Sequence, residues 1–157
     1  MPTRRLHLTL SGPDATAGLA RRIGAVLRPG DVLLLDGPVG AGKTHFARSL
    51  IQSLLPAPED VPSPTFTLVQ TYEAPAFDIW HTDLYRLSAP EEVIELGLLE
   101  AFEHSVTLVE WPDRLGAIAP AGALSLTFTP QDDPDQRGLD ITWHDPRWDG
   151  RAGEFSE

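Results

Sequence analysis

The sequence predicts an α/β fold with a central, mostly parallel sheet, helices on its faces and antiparallel strands at its C-terminal edge. Three observations carry this reading. Residues 31–36 form a short apolar run after Pro29-Gly30, which reads as a strand buried on both faces. A glycine-rich octapeptide follows directly: Gly37, Pro38, Val39, Gly40, Ala41, Gly42, Lys43 and Thr44. Residues 44–55 then place Phe46, Ala47, Leu50, Ile51, Leu54 and Leu55 at helical spacing. Strand, glycine loop and helix in this order make the opening of a single P-loop NTPase domain. The amides of such a loop and the N-terminus of its helix together form an anion site.

The remaining elements follow in order. Residues 5–10 alternate as a short strand, and residues 14–27 carry Ala17, Leu19, Ala20, Ile23, Val26 and Leu27 as an amphipathic helix. After the loop and its helix, residues 56–64 hold four prolines, too stiff and donor-poor for a helix. Residues 66–72 and 77–83 read as two strands joined by Glu73, Ala74, Pro75 and Ala76. Ser88, Ala89, Pro90 and Glu91 form a capping box that opens a helix to about Leu96, with Gly97 as its stop. Residues 106–110 are another apolar strand, ending in an acid. Residues 123–129 and 139–143 read as a late strand pair. The polar stretch from Asp145 reads as a frayed, flexible tail over residues 145–157 of one domain spanning 1–157. No internal repeat and no domain-dividing linker is visible.

Composition bounds the function. A chain of 157 residues is long enough for its own core. With no cysteine, it has no disulfide, thiolate zinc site or cysteine nucleophile. A net charge of −11 repels a phosphate backbone, so direct binding to DNA or tRNA is not expected; the acidity either serves a basic protein partner or solubility alone. The first residues show no apolar signal core, and no stretch reaches the ~20 apolar residues that span a bilayer, so the expected location is cytoplasmic.

Of 12 basic residues, Lys43 is the only lysine, and it stands where a compact ammonium must reach the β- and γ-phosphates of a nucleotide. Gly37, Gly40 and Gly42 allow close approach of backbone to phosphate, and Thr44 supplies a hydroxyl for Mg²⁺. Three further clusters bear on the reaction. Ser63, Pro64, Thr65 and Phe66 either close over the γ-phosphate as a switch or make an ordinary X-Pro turn. Asp83 ends an apolar strand, where α/β folds place their ligands; it either serves the metal or the attacking water, or caps a turn. Arg86, close behind it, either faces phosphates or makes a surface ion pair. Glu110, in Leu108-Val109-Glu110-Trp111-Pro112, has the placement of a Walker B acid, which binds Mg²⁺ or polarises water. Trp111 reads as core or rim packing. His7, His45, His81, His104 and His144 lack metal-ligand spacing, which leaves Mg²⁺ as the expected metal.

Taken together, these motifs resemble the bacterial TsaE family, the P-loop ATPases of tRNA threonylcarbamoyladenosine biosynthesis. The shared pattern is the loop at 37–44, Ser-Pro-Thr-Phe at 63–66, Asp-Leu-Tyr-Arg-Leu at 83–87 and Val-Glu-Trp-Pro at 109–112. The resemblance implies an ATP hydrolase acting with two protein partners, TsaB and TsaD, on the adenosine beside the anticodon, and meeting tRNA only through that complex. It implies Thr44 and Glu110 as Mg²⁺ ligands, residues 38–44 on the phosphates, and Lys43 with Glu110 and Asp83 at the chemistry. Asp83 would assist at the metal or water. Thr65 would belong to a nucleotide-sensitive switch over 63–66. Arg137 would lie near the nucleotide, and residues 13–16 would border the base.

ATP is favoured over GTP, because the guanine-reading Asn-Lys-x-Asp motif needs a lysine that this chain does not have to spare. Two other functions share the P-loop opening. A small-molecule or nucleotide kinase would carry an arginine-rich lid, whereas Arg86, Arg114 and Arg137 are scattered here. A nucleotide-controlled binding switch with negligible hydrolysis would differ in its response to partners.

Overall fold

The computed structural model describes residues 3–38, 42–57, 59–62, 64, 68–87 and 90–155. One seven-stranded sheet organises the chain. Its strands are β1 (Arg4–Ser11), β2 (Val32–Asp36), β3 (Val69–Glu73), β4 (Asp78–Asp83), β5 (Val106–Glu110), β6 (Leu124–Pro130) and β7 (Gln136–Trp143). Their order across the sheet is β1-β7-β6-β2-β5-β4-β3. The four central strands β6, β2, β5 and β4 run parallel, and β1, β7 and β3 pair antiparallel at the edges. The expected mostly parallel centre with antiparallel C-terminal strands is therefore found, and the pairing of β3 with β4 adds a second antiparallel edge.

Strand β2 shows why the centre must be covered on both faces. Leu33 and Leu35 join one apolar cluster, while Val32, on the alternate side, joins the other. Helices α1 (Pro13–Gly24) and α2 (Lys43–Leu54) cover the first face with Leu19, Ala20, Ile23, Phe46, Ala47, Leu50 and Ile51. Helices α3 (Pro90–Glu95) and α4 (Leu98–His104), with the 3₁₀ segment Pro112–Ile118, cover the second through Val93, Leu98, Phe102 and Leu115.

Two expectations change. Gly97 does end the helix before it, at φ 84°, but the chain turns there straight into α4, a helix that the periodicity did not announce. The capping residues Ser88 and Ala89 lie outside the described residues. The expected flexible tail is instead packed: residues 145–155 form two 3₁₀ turns, and Trp148 and Phe155 are 0 % exposed within the first core cluster. Arg151, itself buried, closes on buried Asp31 at 2.6 Å, and the Trp148 indole donates to the Gly122 carbonyl at 2.8 Å. The tail thus clamps the end of the sheet where β2 begins, opposite the glycine loop.

Gly37 is a point where side-chain size is decided by the sheet. Its φ is 138°, and an added Cβ would stand 2.6 Å from the Phe128 carbonyl oxygen of β6. Gly37→Ala is expected to cost about 1–3 kcal/mol of stability through backbone strain and to displace the loop entry. Urea denaturation together with nucleotide titration checks both effects.

Candidate functional site

Parallel pairing collects the acids. Register places Leu35 of β2 beside Glu110 of β5, and Glu110 beside Asp83 of β4. Asp36, Glu110 and Asp83 therefore stand at the C-terminal ends of three adjacent parallel strands, the usual ligand edge of an α/β sheet. Strand alternation then chooses a face. Val106 and Leu108 belong to the cluster beneath α2, so Glu110 points to that side, as does His81, two residues beyond Ile79.

Helix α2 brings the other half of the site. Gly42, at φ 107°, takes the left-handed conformation just before Lys43, the first helical residue. Thr44 Oγ1 donates a hydrogen bond of 2.9 Å to Glu110 Oε1. Glu110 is 2 % exposed, and its second oxygen, Oε2, lies 2.7 Å from His81 Nε2. His81 is 0 % exposed. A buried carboxylate is tolerated when its oxygens are hydrogen-bonded, and here both have partners.

Lys43 turns inward. Its Nζ donates to the Gly37 carbonyl at 2.6 Å and stands 3.6 Å above the Trp111 ring. Trp111 follows Glu110 at φ 60° and packs against Tyr85 with ring centroids 4.8 Å apart. Burial pushes the Lys43 ammonium below its ordinary value, while Glu110, Asp83, Asp36 and Asp113 pull it back up. One ammonium thus sits in the field of four carboxylates. A polyphosphate entering that field needs additional positive charge.

The oxygen pair of Thr44 and Glu110 fits the ion that would supply it. Octahedral Mg²⁺ holds oxygens at about 2.0–2.1 Å, so neighbouring ligands stand about 2.9 Å apart. Among the described residues, no group of three or more His, Cys, Asp and Glu side chains could hold a metal by itself. A small set of protein oxygens completed by phosphates and water is how Mg²⁺ is usually held.

Other expected residues fall as follows. The carboxylate of Asp83 accepts from the Tyr85 amide at 2.9 Å, so it organises the turn after β4 while facing the same edge as Glu110. Pro13 meets the loop helix through its carbonyl, 3.0 Å from His45 Nε2. Arg137, at the start of β7, lies at the same end of the sheet, two strands from β2. Its guanidinium donates to the Pro134 carbonyl at 2.7 Å and the Gln136 carbonyl at 2.9 Å. Arg86 is exposed. Val39, Gly40, Ala41, Ser63, Thr65 and Phe66 lie outside the described residues. His81 was passed over by a search for metal-ligand spacing. Its signal was its parity with Asp83 on one strand.

Known proteins resemble this chain along most of its length. Residues 10–139 match the family model described as threonylcarbamoyl adenosine biosynthesis protein TsaE. A Rickettsia bellii tRNA threonylcarbamoyladenosine biosynthesis protein TsaE is 40% identical over 133 residues, covering 85% of this chain and 92% of that protein. The protein of the same description from Bacillus subtilis is 34% identical over 154 residues, covering 98% and 95%. The crystal structure of Bacillus subtilis YdiB superposes with a TM-score of 0.81 at 27% identity, covering 99% of this chain and 97% of that one.

Proposed function

Because this chain belongs to the TsaE family of tRNA threonylcarbamoyladenosine biosynthesis proteins, we propose that it is a Mg²⁺-dependent ATPase. In this reading it supports turnover of that modification together with TsaB and TsaD. The observation that carries the reading is the 2.9 Å contact of Thr44 with Glu110 beside the only lysine of the chain. Lys43 leaves the Gly37 carbonyl for the β- and γ-phosphates and offsets charge as the terminal bond breaks. Residues 38–44 hold the phosphates, with the N-terminus of α2 adding its partial positive charge. Thr44 and Glu110 hold Mg²⁺, which neutralises phosphate charge when bound. Asp83, on the next strand, orients water or the metal's water shell. Thr65 and its neighbours over 63–66 form the nucleotide-sensitive switch, and Arg137 and residues 13–16 border the nucleotide.

Calorimetric titration with ATP and GTP, each with and without Mg²⁺, tests this. Tight binding that needs Mg²⁺ and favours ATP is expected; failure of the chain to bind any nucleotide would overturn the reading. Glu110→Gln, which keeps the side chain's shape, is expected to slow Mg²⁺-dependent hydrolysis by about a hundredfold, the equivalent of about 3 kcal/mol. Phosphate release across a Mg²⁺ series measures it, and a series superimposable on wild type would remove Glu110 from the metal.

A further inference from the structure

A carboxylate presents one chosen oxygen to a metal best when hydrogen bonds fix its rotation. Two groups grip the two oxygens of Glu110 from different elements: part-buried Thr44 of α2 at Oε1, and fully buried His81 of β4 at Oε2. The His81 ring sits in the strand beside Glu110 and is completely buried. Its Nδ1 makes no hydrogen bond among the described residues. The contact at Nε2 is therefore its polar anchor, and a carboxylate at 2.7 Å requires the proton on Nε2. Among the described residues, the side chain that this buried ring holds by a hydrogen bond is Glu110.

We propose that His81 is the positioning residue for the metal site: it holds Glu110 Oε2 so that Oε1 stays with Thr44 and available to Mg²⁺. The inference rests on the metal–nucleotide reading above. Residues that hydrogen-bond a metal's carboxylate ligand set its orientation, and their loss typically weakens the metal about 10–100-fold. His81 is completely buried beneath the site, so its expected effect is on the metal's ligand and not on the nucleotide itself.

The test is the Mg²⁺ concentration that half-saturates binding of ADP or a non-hydrolysable ATP analogue by the full chain. His81→Leu fills the space without a donor, and His81→Gln keeps an N–H at the same number of bonds from Cα. The leucine variant is expected to need about 10–100-fold more Mg²⁺, with nucleotide affinity in chelator unchanged, and the glutamine variant to return close to wild type. Should the leucine variant fail to fold by circular dichroism, His81→Asn, one bond shorter, takes its place with the same expected shift. A folded donor-less or shortened variant that titrates like wild type overturns the inference, as does a folded glutamine variant no better than it. Wild-type binding that ignores Mg²⁺ altogether overturns the metal reading itself, a result separable from both.

Discussion

Replacing Lys43 with alanine is expected to lower ATP turnover by about 10²–10³-fold, the loss typical of one preorganised donor at developing charge, while the protein still folds. The ammonium stands in the field of Glu110, Asp83, Asp36 and Asp113 around the loop. Without it, a triphosphate meets those carboxylates with one ammonium fewer to offset them. No other lysine can substitute. Folding should survive because Lys43 is held against its own desolvation, which lowers its pKa, so that truncation relieves a cost as well as removing the hydrogen bond to Gly37. Steady-state phosphate release, with circular dichroism as control, measures both halves. Turnover equal to wild type would place the chemistry elsewhere.

Trp148→Ala is expected to destabilise the protein by about 3–5 kcal/mol, the range for deleting a buried tryptophan side chain. Trp148 is fully buried, its indole donates to Gly122, and the Arg151 guanidinium stacks 4.7 Å from its ring. It anchors the segment that delivers Arg151 to Asp31, so the variant also weakens a buried ion pair. Gly30, whose carbonyl meets Arg147, and Asp31 precede β2, whereas Gly37 follows it. Nucleotide affinity should therefore be unchanged under conditions where the variant folds. Urea denaturation reads the first effect and calorimetry the second. A stability loss below about 1 kcal/mol, the level of ordinary surface substitutions, would mean that the tail is dispensable.

What the sequence revealed, and what it hid, follows from the range of the interactions. The strand and helix around Lys43 are local and periodic, and both appear within a residue or two of their expected bounds. The acids at the ends of β4 and β5 were visible because each closes an apolar run. Helix α4 was missed because seven residues give too few turns for periodicity, and because Gly97 reads as a stop when it is also a start. The tail was misread because its polar composition outweighs two aromatic anchors, and because the Arg151–Asp31 contact joins residues 120 positions apart. His81 was hidden in the same way: its partner lies 29 residues away on the neighbouring strand. The Lys43–Trp111 stacking depends on the left-handed turn at Trp111, a conformation that composition does not announce.

The most direct measurement is ATP hydrolysis by the purified chain, alone and with TsaB and TsaD added from the same source. Hydrolysis that depends on Mg²⁺ and rises strongly when both partners are present is the expected result. Complex formation with no rise in hydrolysis would contradict the account and leave a binding switch, and no complex at all would return the chain to the kinase reading.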